Sequence, residues 1–428
     1  MYQWKIALRS LLYRKSQYVS LFLVCLFGVA ISLGAIAVST GMIFSLNQKA
    51  RIYYGGEIAL MCSEGHGLAI NNYQEKYEIV KSFFDDDAVV VPRLDFDARH
   101  SSFYFEGVQA LQQTIKGVNF EAERALLSTF NFVEGGLDAV TEKNAVFISA
   151  PIAKMLGCVL GDEITFQLQT VEGYLNTVPV IVRGIFQDSS VFGMYTSYMD
   201  FEFLKEAYGR PAHFANRICI HFPKHSTLTD AEYHKIYDKL ATKLNMYPYV
   251  TNKDDYIDAD DTFTTETWGF IPLPANLNDV KIMEVAMTAV ISFIIVMLTL
   301  IIIAGIGSTY RVLIMKRINE IGVYMALGMK KRAIIATLLS ESFVLLVFGC
   351  LAGIILSVLL CGAISTVNFS FIPSFDLFLF KGNLVPRVDV IKSVLVIVSV
   401  IVVTLLAVLY STLKSIKIMP VAALATTE

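Results

Sequence analysis

Charge is what this chain has least of. Only 17% of its 428 residues are Asp, Glu, Lys or Arg, against about 25% in an ordinary soluble domain. Prolines number 11, and no proline-rich or other low-complexity tract is present. Six cysteines are too few and too scattered for a disulfide framework. With 55% of residues hydrophobic, a wholly soluble chain is excluded, and a net charge of −3 gives no footing for nucleic acid. No G-x-x-x-x-G-K-[ST] occurs, so the glycine-rich cradle and lysine that hold nucleotide phosphates are missing. No Ser/His/Asp, Cys/His or HExxH pattern supplies a catalytic centre, and the chain reads as non-catalytic.

What is present in excess is concentrated in four apolar blocks. A span needs about 20 apolar residues to cross the hydrocarbon core. Ser16–Gln48 and Val285–Tyr310 carry no charge, Ala333–Phe371 carries only Glu341, and Ser393–Leu413 is dominated by Val, Ile and Leu. The basic residues ahead of the first block, and Ala35-Ile36-Ala37 within it, suggest a signal peptide. The run is too long for a 7–15-residue h-region, so an uncleaved span is expected. Lys and Arg flank the first block (Lys5, Arg9, Arg14, Lys15), fill the stretch between the second and third (Arg311, Lys316, Arg317, Lys330, Lys331, Arg332) and follow the fourth (Lys414, Lys417). The positive-inside bias then puts both termini and that loop in the cytoplasm.

The expected fold is a membrane protein of four transmembrane α-helices with a large α/β (α+β) extracytoplasmic domain between helices one and two. The segments read as an amphipathic N-terminus (1–15), span one (16–46), the outer domain (47–280), span two (281–310), a cytoplasmic loop (311–332), span three (333–366), a short outer loop (367–390), span four (391–413) and a cytoplasmic tail (414–428). In the outer domain, alternation predicts strands at Ala145–Ser149, Glu163–Gln169 and Val178–Ile185. Helical spacing marks Tyr73–Phe84, Ala150–Leu156 and Asp200–Tyr208. Asp230–Leu244 is a further helix, with Thr229 and Glu232 at capping-box spacing. One lobe or two would fit. Pro272 and Pro274 mark the approach to span two, as a stiff linker or a helix stop.

The loop between spans two and three has an apolar stripe through Ile314, Ile318, Ile321 and Met325. Lys316 and Glu320 sit i,i+4 on another face, and Gly328 stands where a helix would end. Lys330, Lys331 and Arg332 fall at headgroup depth. An ordinary interfacial linker would account for all of this. Elsewhere, His221, His225 and His234 have weak metal spacing, and Pro223 argues against a shared helical face. The acidic runs Asp254–Asp261 and Asp85–Asp87 read as solvated loops. Cys62, Cys158 and Cys219 fall outside the spans, where free buried thiols are expected. Glu341 is an intramembrane carboxylate, for which pairing with Arg332 or nearby backbone is expected. The small residues of span one (Gly28, Ala30, Gly34, Ala35, Ala37, Gly41) allow close helix approach.

Three motifs carry a resemblance. Arg317-x-x-Glu320-Ile321-Gly322-x-x-x-Ala326-Leu327-Gly328 before basic residues and a span, the basic stretch Ala7–Lys15, and Pro420-Val421-Ala422-Ala423-Leu424 together resemble the FtsX/MacB/LolC-LolE superfamily. Those proteins are permease subunits of mechanotransmission-type ABC transporters. Ser10 stands where that family often has Asn. Ala145–Gly157, Gly161–Phe166 and Val182–Phe186 resemble the family's periplasmic core.

The resemblance implies that Ile318–Gly328 is a coupling helix gripped by a separate dimer of ATP-binding subunits, which would hold ATP and Mg; this chain itself needs no cofactor. The contacts it implies are Ile318, Glu320, Ile321, Gly322, Tyr324, Met325, Ala326, Leu327, Gly328 and Met329. From lipoprotein-releasing relatives it further implies a substrate-facing cavity at Leu33, Ile36, Val38, Ala289, Phe293 and Met297, although ordinary lipid-facing helix accounts for these equally well. The expected setting is the bacterial inner (cytoplasmic) membrane, among its lipids, with a second permease as a homodimer or a LolC/LolE-type heterodimer. Expected partners are lipoprotein cargo and a periplasmic carrier or adaptor. Lipoprotein release is the leading role. MacB-like efflux of a peptide, drug or toxin and FtsX-like control of a cell-wall hydrolase are the alternatives.

Overall fold

A computed structural model describes residues 15–422 apart from 66, 85–87, 191, 224–227 and 373–374. Nearly all of the basic N-terminus, Asp85–Asp87, His225 and the Ala423-Leu424 end of the C-terminal motif therefore lie outside the described residues. The helices of two turns or more are α1 (Lys15–Tyr54), α2 (Tyr73–Lys81), α3 (Ala150–Leu156), α4 (Phe201–Tyr208), α5 (Asp230–Leu240), α6 (Asn278–Lys316), α7 (Ile318–Ala326), α8 (Lys331–Ser365) and α9 (Val390–Ala422). By contacts the chain forms a helical unit (residues up to Gly41, Val285–Val367 and Val385 onward) and an α/β unit (Met42–Glu284 with Asn368–Leu384).

In the helical unit, α1, α6, α8 and α9 are long and apolar enough to cross a membrane. Tyr18, Leu21, Cys25 and Val29 of α1 recur every three or four residues and are buried against Ile302, Ile306 and Tyr310 of α6 and Leu346 and Cys350 of α8. Such spacing lays one stripe of a helix along its neighbours. Small residues set the approach, as the span-one pattern predicts. A Cβ on Gly28 would lie 2.3 Å from Ile302 Cδ1, and one on Gly41 would lie 2.1 Å from the Val385 carbonyl oxygen.

The α/β unit is built on fourteen strands: β1 (Ile58–Ser63), β2 (Ile70–Asn71), β3 (Val89–Asp97), β4 (Ser102–Phe105), β5 (Val108–Leu111), β6 (Thr114–Val118), β7 (Phe132–Gly135), β8 (Ala145–Ser149), β9 (Glu163–Gln169), β10 (Leu175–Phe186), β11 (Thr196–Asp200), β12 (Phe214–Ala215), β13 (Arg217–His221) and β14 (Thr267–Pro272). Twelve form a single mixed sheet in the order β14-β1-β13-β3-β6-β11-β8-β10-β9-β4-β5, with β7 on β10. The two-lobe alternative resolves into two packing centres on this one sheet. One gathers Leu94, Phe103, Val146, Phe166 and Leu204; the other gathers Leu60, Ile218, Ile220, Trp268 and Phe270. Strand β3 joins them, because Val89–Arg93 pair with β13 while Leu94–Asp97 pair with β6.

Local sequence accounts for the helix ends. Thr229 and Glu232 close the capping box of α5, which satisfies two orphan backbone donors reciprocally. Helix α3 stops at Gly157, whose φ of +76° is open to glycine at little cost. Helices α2 and α5 end at Lys81 and Leu240, short of the expected Phe84 and Leu244, although Phe83 and Leu244 beyond those ends are still buried in the same core. Gly184 permits crowding inside β10, where a Cβ would meet Phe147 at 2.7 Å.

Two polar clusters tie this unit together. Arg93, fully buried, is ion-paired with Glu123 and donates from Nη1 to the carbonyl of Ile52 at 2.9 Å. It thereby caps carbonyls that the end of α1 leaves open. The short loop after α8 belongs to the same unit. Asp376 accepts hydrogen bonds from Ser189 N (3.1 Å), Ser189 Oγ (2.7 Å) and Gln187 Nε2 (3.1 Å).

Candidate functional site

The site is α7 and its surroundings. Helix α6 ends at Lys316 and α7 begins at Ile318, so Arg317 is a one-residue bend, with φ −104° and ψ 9°. That bend removes the expected pairing of Lys316 with Glu320, since the two no longer share a helix. Glu320 is instead 3.3 Å from Arg317 Nε. At the other end, the N–H of Gly328 reaches the Met325 carbonyl (3.0 Å) and that of Met329 reaches the Tyr324 carbonyl (3.0 Å). This is the double bond pattern of a glycine-terminated helix. Gly328 has φ +83°, and its Cβ would meet nothing within 4 Å, so backbone angle rather than space demands glycine here.

The apolar stripe faces inward. Ile314 and Ile321 are buried, and Ile318, Met325 and Met329 pack partly against the same core. The outward face presents Val323 (56% exposed), Tyr324 (38%) and Leu327 (80%) beside the exposed Lys330, Lys331 and Arg332. Of the residues expected to meet an ATPase, then, Tyr324, Ala326, Leu327 and Gly328 are open, Glu320 and Gly322 are half-buried, and Ile321 is held inside. Val323 was absent from that set, although its place opposite Ile321 on the helix could have flagged it.

Beneath α7 lies a polar cluster that the sequence reading did not assemble. Glu341 of α8, fully buried, is ion-paired with Arg317 rather than Arg332. A second contact runs from Arg317 Nη2 to Glu341 Oε1 at 3.3 Å. Tyr18 of α1 donates to Glu341 Oε2 at 3.0 Å and accepts from Arg317 Nη1 at 3.1 Å. Nearby, Tyr310 donates to the Leu338 carbonyl at 2.9 Å. Arg332 is exposed. A carboxylate in hydrocarbon needs its charge matched and its lone pairs filled, and the guanidinium of Arg317 plus a phenol does both, whereas Arg332 stands at the surface.

The cavity residues are not brought onto one surface within the chain. Leu33 and Ile36 are buried in the helical core, Val38 is half-buried, and Ala289, Phe293 and Met297 are exposed on α6. His221 is buried beside Glu57, 3.1 Å away, and Arg51, while His234 packs at a tilt against Tyr249. Among the described residues no group of three or more His, Cys, Asp or Glu is placed to hold a metal. Asp260, read as part of a solvated loop, accepts from the Gly67 N–H at 2.9 Å and from Ser63, tying that loop to the end of β1. All six cysteines are free thiols, five of them buried. Burial pushes the Cys62 and Cys219 thiols up to about 12.

No curated protein matches the chain. Residues 292–420, which hold most of α6, all of α7 and α8 and nearly all of α9, match the family model described as FtsX-like permease C-terminal. That domain, with its bent loop, glycine-ended short helix and flanking spans, is what the chain shares with the FtsX-like permeases.

Proposed function

We propose that this protein is the membrane subunit of an ABC transporter, with α7 as the element that a separate ATP-binding subunit grips and with both chain termini and α7 on the cytoplasmic side of a bacterial inner membrane. The observation that carries the reading is the outward face of α7. Val323, Tyr324 and Leu327 expose apolar surface beside three basic residues, on a short helix whose other face is anchored in the spans. An exposed apolar patch rimmed by charge is the usual mark of a docking surface. With no phosphate-binding loop in this sequence, the reading assigns ATP and Mg to the partner.

For cargo, the leading reading is release of lipoproteins from the membrane, in a pair of permeases with a carrier or adaptor outside. Phe293, 64% exposed on α6, supports a surface for acyl chains or a second copy. Photocrosslinking in native membranes tests both levels, with probes at Tyr324 and Phe293. An ATP-binding subunit captured at Tyr324 and a lipoprotein at Phe293 are the expected products. The ATPase without cargo would move the reading to efflux or to hydrolase control. No ATPase at Tyr324 would remove the transporter reading.

A further inference from the structure

A one-residue bend between two stiff helices is ordinarily a hinge, and Arg317 occupies such a bend between α6 and α7. Its side chain is nevertheless held by several partners. Within one buried cluster it meets Glu341 of α8, Tyr18 of α1 and Glu320 of α7 itself. Tyr18 closes the ring by donating to the same Glu341 oxygen that Arg317 contacts. Glu341 is 0% exposed, Tyr18 3% and Arg317 6%. Breaking a buried pair by removing one partner strands a charge in an apolar interior, so α7 cannot swing about its bend without disrupting the cluster. Such pairs add little net stability, and their best-attested use is to fix one arrangement among several.

We propose that Arg317 is a positioning residue that locks α7 to α1 and α8, so that a displacement of α7 is delivered to two spans at once instead of being absorbed at the bend. The function of that lock rests on the reading of α7 as the ATPase-docking helix; the lock itself does not. An unlocked α7 would still present Val323, Tyr324 and Leu327 and could still be gripped, but only the apolar contacts of Ile321 and its neighbours would then pass its movement to the spans.

The test uses the full chain in detergent, with nitroxides carried on p-acetylphenylalanine so that the native thiols are untouched. One pair, Leu327 with Phe27, reads α7 against α1; a second, Phe27 with Phe348, reads α1 against α8. All three positions are exposed. The unsubstituted chain is expected to give one narrow distance for each pair. Arg317→Met and Glu341→Gln are expected to lose the narrow Leu327–Phe27 distance while keeping the Phe27–Phe348 distance. Tyr18→Phe, a milder change, is expected to broaden the first pair alone. A narrow first distance in Arg317→Met would overturn the proposal, and so would equal broadening of both pairs, which marks general loosening. ATPase capture at Tyr324 is scored separately, so its failure would sink the docking reading and leave the lock judged by the distances alone.

Discussion

Asp95 shows how single charges are handled in the α/β unit. It lies 2.9 Å from Arg217 Nε and 2.7 Å from Lys116 Nζ, and Lys116 in turn sits over the Tyr53 ring at 3.9 Å. Burial alone would push the Asp95 carboxyl up, but the two cations overcome it and hold the carboxyl below its usual range. A carboxylate whose folded pKa is depressed contributes stability that is full above the unfolded value and lost as pH falls through the folded one. Asp95→Asn should therefore cost about 3 kcal/mol at neutral pH, because the buried Lys116 and the half-buried Arg217 lose their partner, and the cost should shrink in acid. Fluorescence of the buried Trp268 followed through unfolding at several pH values measures both effects; an unchanged midpoint at pH 7 would refute this account of the triad. In the helical unit the Cys25 and Cys350 sulfurs are 4.0 Å apart, one on α1 and one on α8. Copper-phenanthroline oxidation should remove both thiol hydrogens and join them. Peptide mass spectrometry should find the linked pair in the native chain and not in Cys25→Ser, and its absence in the native chain would mean the two helices do not pack as described.

At the scale of elements, the glycines of spans one and two make graded predictions. Gly41→Ala would press on the Val385 backbone carbonyl, which cannot turn aside, whereas Gly28→Ala meets Cδ1 and Cγ1 of the Ile302 side chain, which can shift. Overpacking costs roughly 1–3 kcal/mol, so Gly41→Ala should fall near the upper end and Gly28→Ala near the lower. Gly307→Ala, with nothing within 4 Å of its Cβ, should cost little. Melting midpoints of the three variants in one detergent decide the order. The elements that could be read from sequence are those set by local rules. Ala145–Ser149, Ala150–Leu156 and Glu163–Gln169 stand at the expected bounds, because alternation, a capping serine and a terminal glycine are all written within a few residues. The four long helices were legible from run length alone. What escaped were relations between distant residues. Nothing near Glu341 indicates that its partner is Arg317, 24 positions away, or that Tyr18, 323 positions away, completes the set. The bend at Arg317 was hidden because the apolar stripe through Ile314, Ile318 and Ile321 keeps its period across it. The choice between one lobe and two stayed open for a similar reason: β3 serves two packing centres, and only its pairing shows that they share one sheet.

At the scale of the whole molecule, the segment after α8 belongs to the α/β unit, held there by Asp376. Asp376→Ala should free residues 368–384. Hydrogen exchange is expected to rise in that stretch and to stay unchanged in β8 and β10, and equal protection in variant and native chain would show that other contacts hold the segment. The pairing of the first strand has a consequence of another kind, in time. Strand β1 is buried along its whole length, yet its neighbours are β13 and β14, so that Ile58 is matched with Ile220 on one side and Pro272 on the other. During synthesis β1 is made first and must wait for the last strands of its unit before either edge is covered. An unpaired apolar strand is a template for wrong partners, and in this protein that exposure lasts until the chain has reached the approach to α6. Any stall between those points would leave the unit open, and the cell's quality-control machinery would meet it in that state.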